Sequence, residues 1–178
     1  MSTRFGIVTV SMALLIGCAG AATAAPLHSS GPRLPHRQAV LGPHGYKSLR
    51  LGQSEHAAEK TGLLVDKQPA KGCDFYYLKR SEGRPNVGGG VFVDHSRGVV
   101  VISGTNRSRT PEGITMGSGL KRVKAAYPGL APVRHYDTVY ESSVPHGTSG
   151  SRYRFAVDEH NRVTDFALEA TGRARCTG

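Results

Sequence analysis

The sequence predicts an α+β fold of two tandem modules, residues 45–104 and 110–178, each a short helix packed on a small antiparallel sheet. Three observations predict it. An apolar-Gly turn, a Ser and a short helical run occur twice, after Leu51-Gly52 and after Met116-Gly117. A hairpin that turns on an Asp follows in each half, at Asp94 and at Asp158. The landmarks also recur at nearly one offset, 116 − 51 = 65 and 158 − 94 = 64, which is the signature of an internal duplication. The competing account is that both stretches draw on the same common turn chemistry.

Composition sets the frame. The chain has 178 residues, with 23 Lys and Arg against 13 Asp and Glu, a formal net charge of +10. That length suits one domain or two small ones and leaves little room for a large α/β enzyme. Hydrophobic residues make up 38% and aromatic residues 7%, enough for a modest core and too much for wholesale disorder. The 23 Gly and 10 Pro show no G-X-Y period, so collagen is excluded and a loop-rich fold is expected. Beyond the N-terminus there is no apolar run of about 18 residues, the length an internal membrane span needs.

Met1–Arg4 carries one positive charge, and Phe5–Ile16 is a largely apolar run of twelve residues. The run is too short for a bilayer and suits the central region of a signal peptide. Two processing sites compete behind it. Leu15-Ile16-Gly17-Cys18 resembles a bacterial lipobox, in which the Cys is acylated on its thiol and becomes the new N-terminus. This makes 1–18 the signal peptide and Cys18 the lipidation site. Ala22-Thr23-Ala24 is an ordinary A-x-A site, with cleavage after Ala24. Both routes export the chain, as a lipid-anchored or as a secreted protein.

Either cleavage removes Cys18 from the thiol count and leaves Cys73 and Cys176. An even pair in an oxidising compartment reads as one disulfide, worth on the order of 4 kcal/mol in the chain-entropy account. No CxxC and no Cys/His cluster at zinc spacing is present, so neither a metal nor a cofactor is expected.

Residues 19–44 are rich in Pro, Ala, Ser and Gly and lack acidic residues, while Arg33, Arg37, His28, His36 and His44 make them basic. A flexible tether is one reading. An arm for anionic lipid or wall polymer is the other, at about 1 kcal/mol per charge.

Leu49–Leu51 then reads as a strand, Gly52 as a turn, Ser54 as a helix cap and 55–61 as a helix stopped by Gly62. Ile114–Met116, Gly117, Ser118 and 120–127 follow the same plan. Ala57, Ala58 and Thr61 form one small apolar face; Leu120, Val123, Ala126 and Tyr127 form the other. Phe75–Lys79 and Val139–Ser142 supply further strands. Val91–Asp94 with Val99–Ile102, and Arg152–Asp158 with Val163–Leu168, read as hairpins. Thr105–Arg109 is polar and without period, so it is expected to connect the halves.

Searches for chemistry find little. There is no HExxH, no P-loop and no dinucleotide-binding pattern. Asn86–Gly90 precedes a strand rather than a helix and lacks the P-loop Lys, so it reads as a glycine-rich loop. Ser149 misses GxSxG because Ser151 stands where the second Gly belongs. No catalytic residue is assigned. His95 and His160 occupy similar hairpin turns, where such residues commonly serve the turn itself; a proton-transfer or metal role is the sharper alternative. Lys121-Arg122-Val123-Lys124 is the densest basic cluster. In an exported chain its partners are anionic polymers, headgroups or acidic proteins, not nucleic acid. The pleat puts Tyr153 and Phe155 on one face and Arg152 and Arg154 on the other, which is no stacking platform.

The Leu-Gly-x-Ser and Met-Gly-Ser turns with their following helices resemble the tandem modules of the beta-lactamase inhibitory protein family. A single module resembles the small bacterial outer-membrane assembly lipoproteins of the SmpA/OmlA type, and much of the chain looks like small exported lipoproteins of actinobacteria. The likeness spans about residues 45–178 and implies the fold. It implies no target, because no inhibitory loop residue matches, and the family's two disulfides within modules contrast with the single Cys73/Cys176 pair here.

The expectation is thus a non-enzymatic, exported binding or scaffold protein of the cell envelope. It would hold a protein partner or an anionic polymer and sit at the membrane through Cys18. The alternatives are an inhibitor of a secreted enzyme, which an exposed aromatic patch on a sheet face would favour, and a small hydrolase assembled by folding.

Overall fold

The computed structural model describes residues 38–145, 150–172 and Cys176, all within one unit of the chain, Arg37–Gly178. The first elements build a small sheet from β1 (Ala39–Gly42), β2 (Gly45–Tyr46) and β3 (Leu49–Arg50), closed by β8 (Ser108–Arg109) in the order β3-β2-β1-β8. β1 runs parallel to β8, with Ala39 opposite Ser108. The large sheet has eight strands. They are β4 (Leu64–Ala70), β5 (Cys73–Leu78), β6 (Val91–Asp94), β7 (Gly98–Ser103), β9 (Ala131–Pro132), β10 (Val139–Ser143), β11 (Ser151–Val157) and β12 (Val163–Ala170). Their order is β4-β5-β6-β7-β12-β11-β10-β9, antiparallel throughout. Helices α1 (Glu55–Lys60) and α2 (Leu120–Ala126) precede β4 and β9.

This overturns the expected fold class. Two helices of six and seven residues stand beside twelve strands among the described residues, so the chain is mostly β rather than α+β. Nor are there two helix-on-sheet modules. β7 pairs directly with β12, Ile102 opposite Leu168, and the four strands on each side merge into one sheet. The reason is the cost of small size. About 60 residues bury too little surface to stand alone, and an unpaired β7 edge would expose a row of backbone donors and acceptors. Joining the edges satisfies both. Among the described residues one main core cluster then spans both sides of the sheet, with Tyr76, Val91 and Ile102 packed in it beside Tyr153, Phe155, Phe166 and Leu168.

The helices are too short to carry a module. α1 buries only Ala58, and α2 buries Leu120 and Val123. Ser54 caps α1 as expected, its side chain accepting from Ala57 N. Gly119, not Ser118, caps α2; the Ser118 hydroxyl turns back to accept from Thr115 N at 3.0 Å.

Two further expectations change. β1 begins at Ala39, inside the segment 19–44 read as a linker; a four-residue strand paired through its backbone leaves no apolar period to detect. In the polar Thr105–Arg109 connector, Asn106 and Arg107 are exposed but Thr105 and Ser108 are buried. Thr105 and Ser108 are 0% and 1% exposed. Thr105 Oγ1 donates to Glu82 O at 2.6 Å, and Ser108 Oγ accepts from Thr105 N at 2.7 Å, so their polarity is satisfied inside.

Both outer edges of the large sheet are blunted. β9 has two residues, one of them Pro132. β4 carries Pro69, a register shift between Val65 and Gln68, and Asp66 at φ 54°. These devices discourage edge-to-edge association.

Candidate binding face

The pleat sends alternate side chains to opposite sides of the large sheet. Tyr76, Leu78, Val91, Tyr153, Phe155, Phe166 and Leu168 enter the core. Their neighbours line the other side, the open face. Cross-strand register places Phe75, Phe92, Val101, Glu169 and Arg152 in one row across five strands. Arg154, paired with Ala167 and Glu141, begins the next row.

One half of this face is aromatic. Phe75 meets Tyr77 edge-on with centroids 4.8 Å apart, and meets Phe92 at 5.0 Å. The Asn86–Gly90 loop borders these rings. A Cβ at Gly90 would stand 2.4 Å from Phe75 Cε2, so glycine lets the ring lie against the backbone. Val87 is 100% exposed and Tyr77 39%. They line a depression of about 580 Å³ together with Val65, Pro85, Arg80 and Arg84.

The other half is ionic. Glu169 receives Arg154 Nε at 2.7 Å on Oε1 and Arg152 Nε and Nη2 at 3.2 and 3.1 Å on Oε2. Arg154 Nη2 donates to Asp165 Oδ2 at 2.8 Å, and Arg152 Nη1 reaches Glu141 Oε2 at 3.1 Å. Burial works against the Arg154 charge, but the carboxylates of Asp165 and Glu169 outweigh it and raise its pKa. Within the β11–β12 hairpin Arg152 stands directly opposite Glu169, while Arg154, opposite Ala167, reaches Asp165 and Glu169 on either side of it. A hairpin register drawn from the sequence could have found them; the aromatic half left no comparable signal.

Cys73 and Cys176 form the expected disulfide, with Cα atoms 5.4 Å apart. Cys73 comes from β5, and Cys176 packs against the cluster of Val100, Val101 and Ala167, so the bridge ties the segment after β12 to the middle of the sheet.

A second polar cluster lies around Asp74, which is 3% exposed. Its Oδ2 accepts from Lys67 Nζ at 3.0 Å and His95 Nε2 at 3.2 Å, and its Oδ1 from Ala70 N at 3.3 Å. Lys67 also pairs with Glu55, and the Tyr76 hydroxyl contacts Glu55 at 2.5 Å and Glu59 at 2.7 Å. Burial opposes the Asp74 charge, yet the hydrogen bonds from Lys67 and His95 prevail and hold its pKa at about 2. The cluster fastens α1, β4 and the 95–97 turn together. Neither nearby hydroxyl is poised as a nucleophile: Ser54 caps α1 and Ser96 Oγ donates to Asp94 Oδ1 at 2.6 Å. His160 sits in an exposed turn, 3.8 Å from Glu159. Among the described residues, no group of three or more His, Cys, Asp and Glu side chains is arranged to hold a metal, and no helix is long and apolar enough to cross a membrane. Cys18 and Ser149 lie outside the described residues.

Comparison with protein-family models, with curated proteins and with solved structures returns no match.

Proposed function

We propose that the chain is an exported, lipid-anchored, non-enzymatic binding or scaffold protein of the cell envelope that docks a protein partner on the open face of its large sheet. The aromatic patch of Phe75, Tyr77 and Phe92, bordered by the fully exposed Val87, carries the reading. Rigid aromatic anchors beside a polar rim are what protein interfaces use. Export rests on the N-terminal run with Cys18 or Ala24 as processing sites, and the Cys73–Cys176 bridge suits an oxidising compartment. A second reading draws on the same patch: an inhibitor of a secreted enzyme, whose anchors would be these rings.

The test is site-specific photo-crosslinking in envelope fractions. A photoreactive residue at Tyr77 or Val87 is expected to yield one discrete adduct, and the same residue at exposed His160 none. Equal labelling at all three positions would refute docking on this face. Separately, Cys18→Ala should release the protein from membranes; wild-type protein found only in the medium and starting at Ala25 would refute the anchor.

A further inference from the structure

Most of the described arginines spend guanidinium N–H groups on the protein itself. Arg97 donates to Thr171 O at 2.7 Å and Arg107 to Ser81 O at 3.2 Å. Among the described residues only Arg80, Arg84 and Arg134 have guanidiniums without a hydrogen bond or an ion pair. Arg134 lies between β9 and β10, at the far end of the large sheet. Arg80 and Arg84 line one and the same depression, the one of about 580 Å³ beside Tyr77. Their backbone is held while their heads stay free. Arg84 N donates to Asn106 Oδ1 at 3.0 Å, and Asn106 N donates to Arg84 O at 2.9 Å. Between the two arginines, Glu82 O accepts from the buried Thr105 hydroxyl at 2.6 Å. A fixed base lowers the ordering cost when a guanidinium engages a ligand.

The rest of the lining narrows the ligand. Val65, Tyr77, Pro85 and Val87 are apolar or aromatic, so part of the ligand must be apolar to cover them. Asp66 lines the depression too, exposed and without an ion pair. Its charge repels a phosphate dianion or a polyanion more than a single carboxylate, and a carboxylate matches the planar fork of a guanidinium. We propose that this depression is a subsite for an acidic side chain, flanked by apolar residues, on the partner protein, with Arg80 and Arg84 as the donors. The proposal rests on the reading that the open face docks a protein.

The experiment titrates the folded, disulfide-bonded chain, labelled with ¹⁵N, with acetyl-Leu-Glu-Leu-amide and with its glutamine counterpart. The glutamate peptide should give saturable shifts at the amides of Tyr77, Arg84, Val87 and Gly88, and the glutamine peptide none. Arg80→Gln and Arg84→Gln should each weaken binding about threefold, since each removes a charge-assisted hydrogen bond. Asp66→Asn should tighten binding about twofold by removing a like charge, at a φ of 54° that Asn adopts readily. Arg134→Gln removes an equally free guanidinium outside the depression and should leave binding unchanged. Glutamate and glutamine peptides that act alike would overturn the subsite. So would Arg80→Gln and Arg84→Gln variants that bind as wild type, or an Arg134→Gln variant that weakens binding as much as they do. Inorganic phosphate that displaces the glutamate peptide at equal concentration would overturn the carboxylate assignment. Crosslinks at Tyr77 that persist while the glutamate titration fails would overturn this subsite alone; loss of those crosslinks would overturn the docking face.

Discussion

The two halves of the large sheet bury similar things and display different ones. Toward the core both send aliphatic and aromatic side chains, Tyr76, Leu78 and Val91 from one half and Tyr153, Phe155 and Phe166 from the other. On the open face, β5 and β6 present Phe75, Tyr77 and Phe92, whereas β10, β11 and β12 present Glu141, Arg152, Arg154, Asp165 and Glu169. Folding constrains the first set, because any polar residue there would lie unpaired in the core. It leaves the second set much freer. A difference confined to the unconstrained side is where a binding function can reside.

Four measurements probe this contrast. The largest effect is expected where the halves are tied. Replacing Cys73 and Cys176 together by Ala should cost about 4 kcal/mol in urea unfolding, since the bridge spans 103 residues; a change under 1 kcal/mol would show that the tie is incidental. Next, Glu169→Ala should cost about 2 kcal/mol, because two half-buried guanidiniums lose the carboxylate they share, leaving Arg152 with Glu141 and Arg154 with Asp165. Phe92→Ala serves as the aromatic counterpart and should cost less stability, while abolishing the Val87 crosslink.

The third effect is set by pH. The pKa of Asp74 is depressed from the ordinary 3.8 to about 2, so its contribution is fully present above 3.8 and is lost as pH falls through about 2. Stability should therefore drop across that window, and Asp74→Asn should flatten the drop. An unchanged acid profile in the Asn variant would show that Lys67 and His95 do not stabilise the carboxylate. The smallest effect on folding is expected at Tyr77→Ala. At 39% exposed the ring should shift unfolding by about 0.5 kcal/mol or less, yet loss of partner capture should be nearly complete.

Much of the strand layout was legible because period-2 burial marks it: Tyr153, Phe155 and Val157 enter the core while Arg152 and Arg154 turn away. Cysteine parity pointed to the bridge. The joining of β7 to β12 was not legible, since it is made by backbone groups that every residue carries. Nor was the burial of Thr105 and Ser108, whose polarity implies exposure until their hydrogen bonds to Glu82 O and the local backbone are seen. The carboxylates of β12 escaped notice for a like reason: Asp165 and Glu169 read as solvated charges unless their strand partners are known.

The parallel pairing of β1 with β8 also bears on the order of events during synthesis. The ribosome delivers Ala39 first, but its partner Ser108 follows 108 − 39 = 69 residues later. Cys73 waits still longer, for Cys176, 103 residues further on. Each early segment is thus held open until a late one emerges, and such non-local closures slow folding. A chain cut short before residue 176 would keep the Cys73 thiol unpaired, a chemical mark by which quality control could tell it from the finished protein.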